Sequence, residues 1–162
     1  KKNPNDARRI VRALEVYALT KKPISDFKKE ASGLSKKYNV IIIGLNRERQ
    51  DLYSRIDDRV DEMFREGLVD EIKCLSKLKL SQSASQALGI KEVAGFLKKE
   101  YDIEEAKRLL KRNTRRFAKR QLTWFRPDKR IEWFEIAQDE KPEEIADRVI
   151  KYIETILVKS RV

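Results

Sequence analysis

Val40-Ile41-Ile42-Ile43-Gly44-Leu45 is a short, unbroken apolar run in which four residues are β-branched. It has no polar face to give to water, so it reads as a strand buried on both faces, of the kind found in parallel sheets covered by helices. Such a strand needs partners. Ile131 to Ile136 is a second possible strand. The expected fold class is therefore α/β, mostly helical in this chain, with about two short strands packed by helices. Few strands, and a first residue, Lys1, that is not methionine, lead us to expect a segment of something longer.

Outward from that strand the patterns are helical. Gly and Pro number only 5 and 4, so breaker-free stretches are long. Toward the N-terminus, Asn5 or Asp6 can cap a helix running to about Leu19, because a short side-chain acceptor satisfies a free backbone N–H. Ile10, Leu14 and Val16-Tyr17 form its apolar stripe, and Thr20 to Pro23 ends it. A short helix is expected from Ser25 to Ala31, with Gly33 in the loop after it. On the other side, Asn46 is the expected cap of a helix carrying Leu52, Ile56, Val60 and Met63 on one face. Gly67 interrupts the pattern, and Leu68, Ile72, Leu75 and Leu78 resume it. Leu80 to Gln86 is a polar loop or turn. Gly89 precedes a helix from about Lys91 to Lys99. Ile103 to about Phe125 is the longest helical pattern, closed by Pro127. Lys141-Pro142-Glu143-Glu144 opens a last helix, with Pro near the first turn and acids at the positive end of the dipole. No repeat or low-complexity linker divides the chain, and one unit spanning 1–162 is the simplest organisation.

The 162 residues carry a net charge of +11. A chain this basic commonly meets something anionic, most often nucleic acid, although a merely solvated surface is the alternative. There is no histidine, which removes the commonest general base and metal ligand. The single cysteine, Cys74, can make no internal disulfide, and its helical position points to a packed thiol rather than a nucleophile. No apolar run approaches a membrane span, and a cytoplasmic chain is expected.

The charge is concentrated. Lys107 to Arg130 holds eleven cations and one acid, Asp128. On a helix Arg112, Arg116 and Arg120 share a face, as do Arg115 and Lys119. Like charges so placed repel, and an anionic partner relieves that cost. Trp124 and Phe125 stand beside the cluster, and unpaired RNA bases stack on rings and on guanidinium planes. The alternative is a solvated basic face with Trp124 in the core. Three weaker constellations accompany this one. Arg8, Arg9 and Arg12 lie near a helix N-terminus that suits phosphate, with ion pairing to Glu15 as the alternative. Arg59 could fork a phosphate or pair with neighbouring acids. Asp57, Asp58 and Asp61 form no recognised metal motif. Gly89 permits close backbone approach or simply marks a helix boundary. No Gly-x-x-x-x-Gly-Lys-Ser/Thr loop is present, and no complete catalytic set.

Three segments, in order and spacing, resemble the tRNA dimethylallyltransferase (IPP transferase) family. They are Asn3-Pro4-Asn5-Asp6-Ala7-Arg8-Arg9-Ile10-Val11-Arg12-Ala13-Leu14-Glu15-Val16-Tyr17; Arg55-Ile56-Asp57-Asp58-Arg59-Val60-Asp61-Glu62-Met63, continuing through Gly67-Leu68-Val69-Asp70-Glu71; and Asn113 to Arg126, above all Ala118-Lys119-Arg120-Gln121-Leu122-Thr123-Trp124-Phe125-Arg126. The resemblance covers nearly the whole chain and fades after about Glu135. It implies the C-terminal part of a P-loop-like nucleotide-binding α/β core with a helical insertion. It also implies transfer of a dimethylallyl group from dimethylallyl diphosphate, with Mg²⁺, to N6 of the adenine 3′ of the anticodon. The target base is flipped from its stack. The phosphate loop and the catalytic carboxylate are expected in an N-terminal half that this chain lacks, so it carries no catalytic residue and no metal ligand of its own. By position, the resemblance implies tRNA contacts at Arg8, Arg9, Ile10, Val11 and Arg12; at Gln86, Ala87, Leu88, Gly89, Ile90 and Lys91; and at Arg116, Lys119, Arg120, Gln121, Leu122, Thr123, Trp124, Phe125 and Arg126. It assigns Arg59 to the diphosphate. The partners it implies are a tRNA anticodon stem-loop and dimethylallyl diphosphate, with no membrane and a monomeric state. The family commonly has Gln where Arg8 stands and Gly-Tyr where Gly89-Ile90 stands. A non-enzymatic helical RNA-binding module, or a domain docking an acidic protein, are the rival readings.

Overall fold

Residues 6–30 and 37–159 are described in the computed structural model. They fall into two units, Lys1–Ile41 and Ile42–Val162. In the first unit Asp6 caps α1 (Ala7–Thr20) by accepting the Arg9 N–H at 3.2 Å. The helix ends on Lys21 in the left-handed conformation, φ 57°, whose N–H donates to the Tyr17 carbonyl at 2.8 Å. α2 (Ile24–Glu30) packs beside it. No residue of α1 is buried: Val11, Leu14, Tyr17 and Leu19 are all exposed. The alternative cap Asn5, and Ala31 and Gly33, lie outside the described residues.

The second unit runs β1 (Ile42–Arg47), α3 (Arg49–Arg65), α4 (Leu68–Leu75), α5 (Gln82–Ser85), α6 (Ile90–Leu97), α7 (Ile103–Phe125), β2 (Ile131–Ile136) and α8 (Pro142–Lys159). The two strands pair in parallel, from Ile42 opposite Ile131 to Arg47 opposite Ile136, as the apolar run predicts. Parallel pairing demands a crossover, and α3 to α7 supply it. Gly44 sits opposite Trp133, and any side chain there would strike the indole ring.

Several expectations need correction. The strand is half-buried rather than closed on both faces, and Leu45 is 55% exposed, because a single strand flanks β1 among the described residues and no helix covers Leu45. Asn46 does not cap α3; it lies within β1 and donates from Nδ2 to Glu135 at 2.7 and 2.9 Å, while Glu48 caps the helix by accepting from Gln50 and Asp51. α4 stops at Leu75, so Leu78 falls beyond it and is exposed. Cys74 is exposed: α4 buries Leu68 and Ile72, and a residue two places past Ile72 points to the opposite side. Within the serine-rich stretch, Ser81 caps the one-turn α5 by accepting from Ala84 N–H at 3.2 Å.

The core lies among the helices. Val60 of α3, Leu68 and Ile72 of α4, Val93 of α6 and Leu110 of α7 form one buried cluster, with Met63, Phe64 and Leu97 packed against it. Each such side chain contributes about 1.5–3 kcal/mol on leaving water. Around the sheet the ties are polar. Arg47 donates to Asp51 at 3.1 Å and to the Ala137 carbonyl at 2.8 Å, and Arg55 bridges Asp51 and the Gln138 carbonyl. These bonds fasten the start of α3 to the chain leaving β2.

That fastening depends on carboxylates. Burial would raise the pKa of Asp51, but the hydrogen bonds from Arg55 and Arg47 outweigh it and hold the group below its ordinary 3.8. Arg148 lowers Glu140 from 4.5, and Arg130 draws Asp128 down to about 2. A carboxyl with a depressed folded pKa adds stability above its unfolded value and loses it as pH falls through the folded one. With no histidine in the chain, the thermal midpoint followed by circular dichroism should stay level from about pH 7 to about pH 5 and fall from about pH 4.5 toward about pH 2. An unchanged midpoint at about pH 3 would show that these pairs add nothing.

Candidate nucleic-acid interface

α7 starts where Asp102 accepts the Glu105 N–H at 2.8 Å, with Glu104 and Glu105 in the first turn. Acids there complement the helix dipole. They also engage the first cations: Lys107 pairs with Glu104 at 2.8 Å and Arg108 with Glu105 at 2.6 Å. Ala106 and Leu110 turn inward and are buried. On the flank that meets α3, Lys111 donates to Asp61 at 2.7 Å, and Arg115 donates from Nη1 to both oxygens of Asp57 at 2.5 and 2.6 Å. Both pairs of residues are one turn apart on their helices, so the contacts form two successive rungs. Arg115 also lies 5.8 Å from the Tyr53 ring, which Arg49 approaches to 5.2 Å.

The remaining cations of the segment have no acid. Among the described residues Arg112, Arg116, Lys119, Arg120, Arg126 and Lys129 form no ion pair, and all except Arg112 are exposed. The Arg112 Nε is buried with no hydrogen-bond partner. The aromatics lie on the same outward side: Phe117 is 43% exposed with the Arg120 guanidinium 5.7 Å over its ring, and Trp124 is 74% exposed. Trp124 is therefore not core. Leu122, Phe125 and Gln121 are differently placed, lining an apolar hollow of about 490 Å³ against the sheet.

Two cavities adjoin the helix. One, of about 670 Å³, opens at the carboxyl ends of β1 and β2 and is lined by Asn46, Tyr53, Glu135, Lys119, Thr123 and Arg126. The carboxyl edge of parallel strands is where ligands commonly bind in open α/β sheets. The other, of about 550 Å³, is lined by Gln86, Ile90, Lys91, Glu92, Arg112 and Asn113. The fold thus brings the Gln86 to Lys91 segment against the middle of α7. Gln86, Ala87, Leu88 and Lys91 are exposed, while Gly89 is buried at φ 92°, a conformation that favours glycine.

Arg59 stands on the outer face of α3, 61% exposed, paired with Glu62 at 3.1 Å and Glu66 at 3.4 Å. It rims a small apolar hollow of about 400 Å³ with Leu88 and Thr114. Arg8, Arg9, Ile10, Val11 and Arg12 belong to the other unit, on α1. Arg9 pairs with Asp6 at 3.2 Å and Arg12 with Glu15 at 3.2 Å. Sequence reading did not pick out Tyr53, Asp57, Asp61 and Glu92 as neighbours of α7, and it named Asn113 only as the start of the basic segment. Only the one-turn spacing shared by Asp57–Asp61 and Lys111–Arg115 could have signalled the rungs. Among the described residues no three carboxylate, thiol or imidazole side chains converge to hold a metal, and no helix is long and apolar enough to cross a membrane.

Comparison with known proteins agrees with this geometry. A sequence model described as IPP transferase matches residues 1–128. The chain is 55% identical over 139 residues to a tRNA dimethylallyltransferase of Halothermothrix orenii, covering 85% of this chain and 42% of the relative. It is 47% identical over 153 residues to one from Natranaerobius thermophilus, covering 93% and 45%. Among solved structures it is similar to the full-length tRNA isopentenylpyrophosphate transferase of Bacillus halodurans, with TM-score 0.69 and 40% identity over 98% of this chain and 48% of that one. A second, from Staphylococcus epidermidis, gives TM-score 0.65 at 33% identity, covering 96% and 51%. The chain spans about half the length of the curated relatives it matches.

The split between paired and unpaired cations has a measurable consequence. Arg115→Gln should cost up to about 1 kcal/mol in urea unfolding, because it strands Asp57 in a half-buried contact. Arg116→Gln and Arg126→Gln should stay within about 0.5 kcal/mol of wild type. Equal losses at all three positions would mean that the rungs to α3 are not what divides the helix.

Proposed function

The chain belongs to the IPP transferase family, and from that membership we propose that the whole protein transfers a dimethylallyl group from dimethylallyl diphosphate to N6 of the adenine 3′ of the anticodon in tRNA. Residues 1–162 act as its C-terminal portion, with the phosphate-binding loop and the general base elsewhere in the protein. In that reaction the adenine amine attacks C1 of the prenyl group. The C1–N bond forms, the C1–O bond breaks, diphosphate leaves with the bonding pair, and the amine proton passes to the base. The part assigned to this chain is to hold RNA.

The observation that carries this reading is the grouping of free cations beside an exposed aromatic: Arg116, Lys119, Arg120 and Arg126 without acid partners, next to Trp124 at 74% exposure. Phosphates relieve the like-charge repulsion, and an unpaired base gains a stacking surface. Arg8, Arg9, Ile10, Val11 and Arg12, and the Gln86 to Lys91 segment, are proposed as further contacts. Gln121, Thr123 and the backbone around Leu122 and Phe125 complete the contact along α7. Arg59 is proposed for the diphosphate. Its pairs with Glu62 and Glu66 are exposed and each worth under about 1 kcal/mol, so a diphosphate can displace them. Mg²⁺ is proposed to accompany the reaction. Asp57 and Asp61 are held by Arg115 and Lys111, and no three ligands converge among the described residues.

The test uses the complete protein, an anticodon stem-loop with an adenine 3′ of the anticodon, and labelled dimethylallyl diphosphate. Label should enter the RNA, and binding of the stem-loop should exceed that of a plain duplex at matched salt. Trp124→Ala should weaken stem-loop binding by about 1–3 kcal/mol, the value of one base–aromatic stack, with the thermal midpoint unchanged. Equal affinity for stem-loop and duplex would favour a non-enzymatic module instead.

A further inference from the structure

Glu92 is the one buried charged residue among the described residues, 3% exposed. No cation pairs with it. Its Oε2 accepts the Gly89 N–H at 2.9 Å, and its Oε1 accepts Asn113 Nδ2 of α7 at 2.7 Å. A carboxylate kept from water by neutral donors alone is a costly way to start a helix. Capping α6 requires only the bond to Gly89, and an exposed carboxylate could make it. The bond to Asn113 is the added element. It crosses from the start of α6 to the middle of α7, one turn before Arg116 and Phe117. The backbone of Glu92 is fixed as well. Its carbonyl accepts the Tyr101 hydroxyl at 2.7 Å, and Tyr101 fits because Gly95 has no side chain to strike its ring.

We propose that Glu92 is a positioning residue for RNA. By joining the Gly89 turn to Asn113, it sets the spacing between the Gln86 to Lys91 segment and the free cations of α7, so that one RNA strand touches both. Lys91 and Arg112 face the same cavity across this bridge, about 550 Å³ in volume. A phosphate placed there meets both cations only while the turn is held against the helix. The proposal rests on the RNA reading above.

Asn113→Ala cuts the bridge and leaves the capping bond intact. In the complete protein it should raise the stem-loop Kd about tenfold, within the range of coupled neighbours. It should also make the plot of log Kd against log salt shallower by about one, the mark of one lost phosphate contact. The KM for dimethylallyl diphosphate should not move. Asn113→Asp sets two carboxylates together and should do at least as much harm. The exchanged pair E92Q/N113D again places one amide against one carboxylate and should return the Kd to within about threefold of wild type. Thermal midpoints measured alongside separate a fault in folding from one in spacing. If Asn113→Asp fails to fold, Asn113→Ala and the exchanged pair still decide. A lowered midpoint with unchanged Kd and salt slope in Asn113→Ala would overturn the proposal and leave the RNA reading standing, as would an exchanged pair that recovers its midpoint but not its affinity. A wild-type protein that does not bind the stem-loop would overturn both.

Discussion

A helix with eight cations between Lys107 and Arg120 can pack into a protein only if the charge on its inward side is met. α3 meets it with Asp57 and Asp61, one turn apart, against Arg115 and Lys111, one turn apart. The energy of the contact comes mostly from elsewhere. Leu110 and Val60 are each 2% exposed and Ala106 is fully buried, and burial of that kind is worth more than partly exposed ion pairs. The pairs instead fix the rotation of the helix. A turn of α7 about its own axis would carry Leu110 outward and leave Asp57 without a partner. With the rotation set, Asn113 faces Glu92, and the chain leaving Phe125 runs into β2 in parallel register with β1.

The same constraint decides what remains outside. Of the arginines expected on one face, Arg116 and Arg120 form no ion pair among the described residues, and Arg112 keeps its Nε buried and unsatisfied. Like charges one turn apart cost a few tenths of a kcal/mol per pair, little enough for the core to absorb. Trp124, near the end of α7, is 74% exposed. Charge repulsion and an uncovered indole are both relieved by a polyanion that carries flat, unpaired bases.

How much of this could be read from the sequence depends on where the cause of each feature lies. α7 was legible from Ile103 to Phe125 because its limits are local, with Asp102 as a cap and Pro127 as a stop. The first strand and its parallel setting were legible because a short β-branched apolar run has few other homes, whereas its pairing with Ile131–Ile136 came only from the structure. Local rules failed where a second element decides. Asn46 fits a helix cap by type, yet its amide is taken by Glu135, 89 residues away. Cys74 follows the apolar pattern only loosely, and the inward turn of Leu68 and Ile72 leaves it outside. Glu92 carries no local mark in the sequence. Its burial depends on Asn113, 21 residues on, and on a glycine at position 95 that makes room for Tyr101.

The division of α7 into inward and outward cations separates two properties that a basic helix usually confounds. Among the described residues, the charges that meet α3 are paired and the outward ones are not. Arg116, Lys119, Arg120 or Arg126 can therefore change with little effect on packing, whereas Lys111 and Arg115 are tied to the fold through their acids. The Gln86 to Lys91 segment lies outside that division, because it is not part of α7 and its single cation, Lys91, is exposed. It reaches α7 through a neutral amide and one buried carboxylate. A bond of that kind leaves the net charge of the surface unchanged. What it controls is geometry, the distance between the Gly89 turn and the middle of α7.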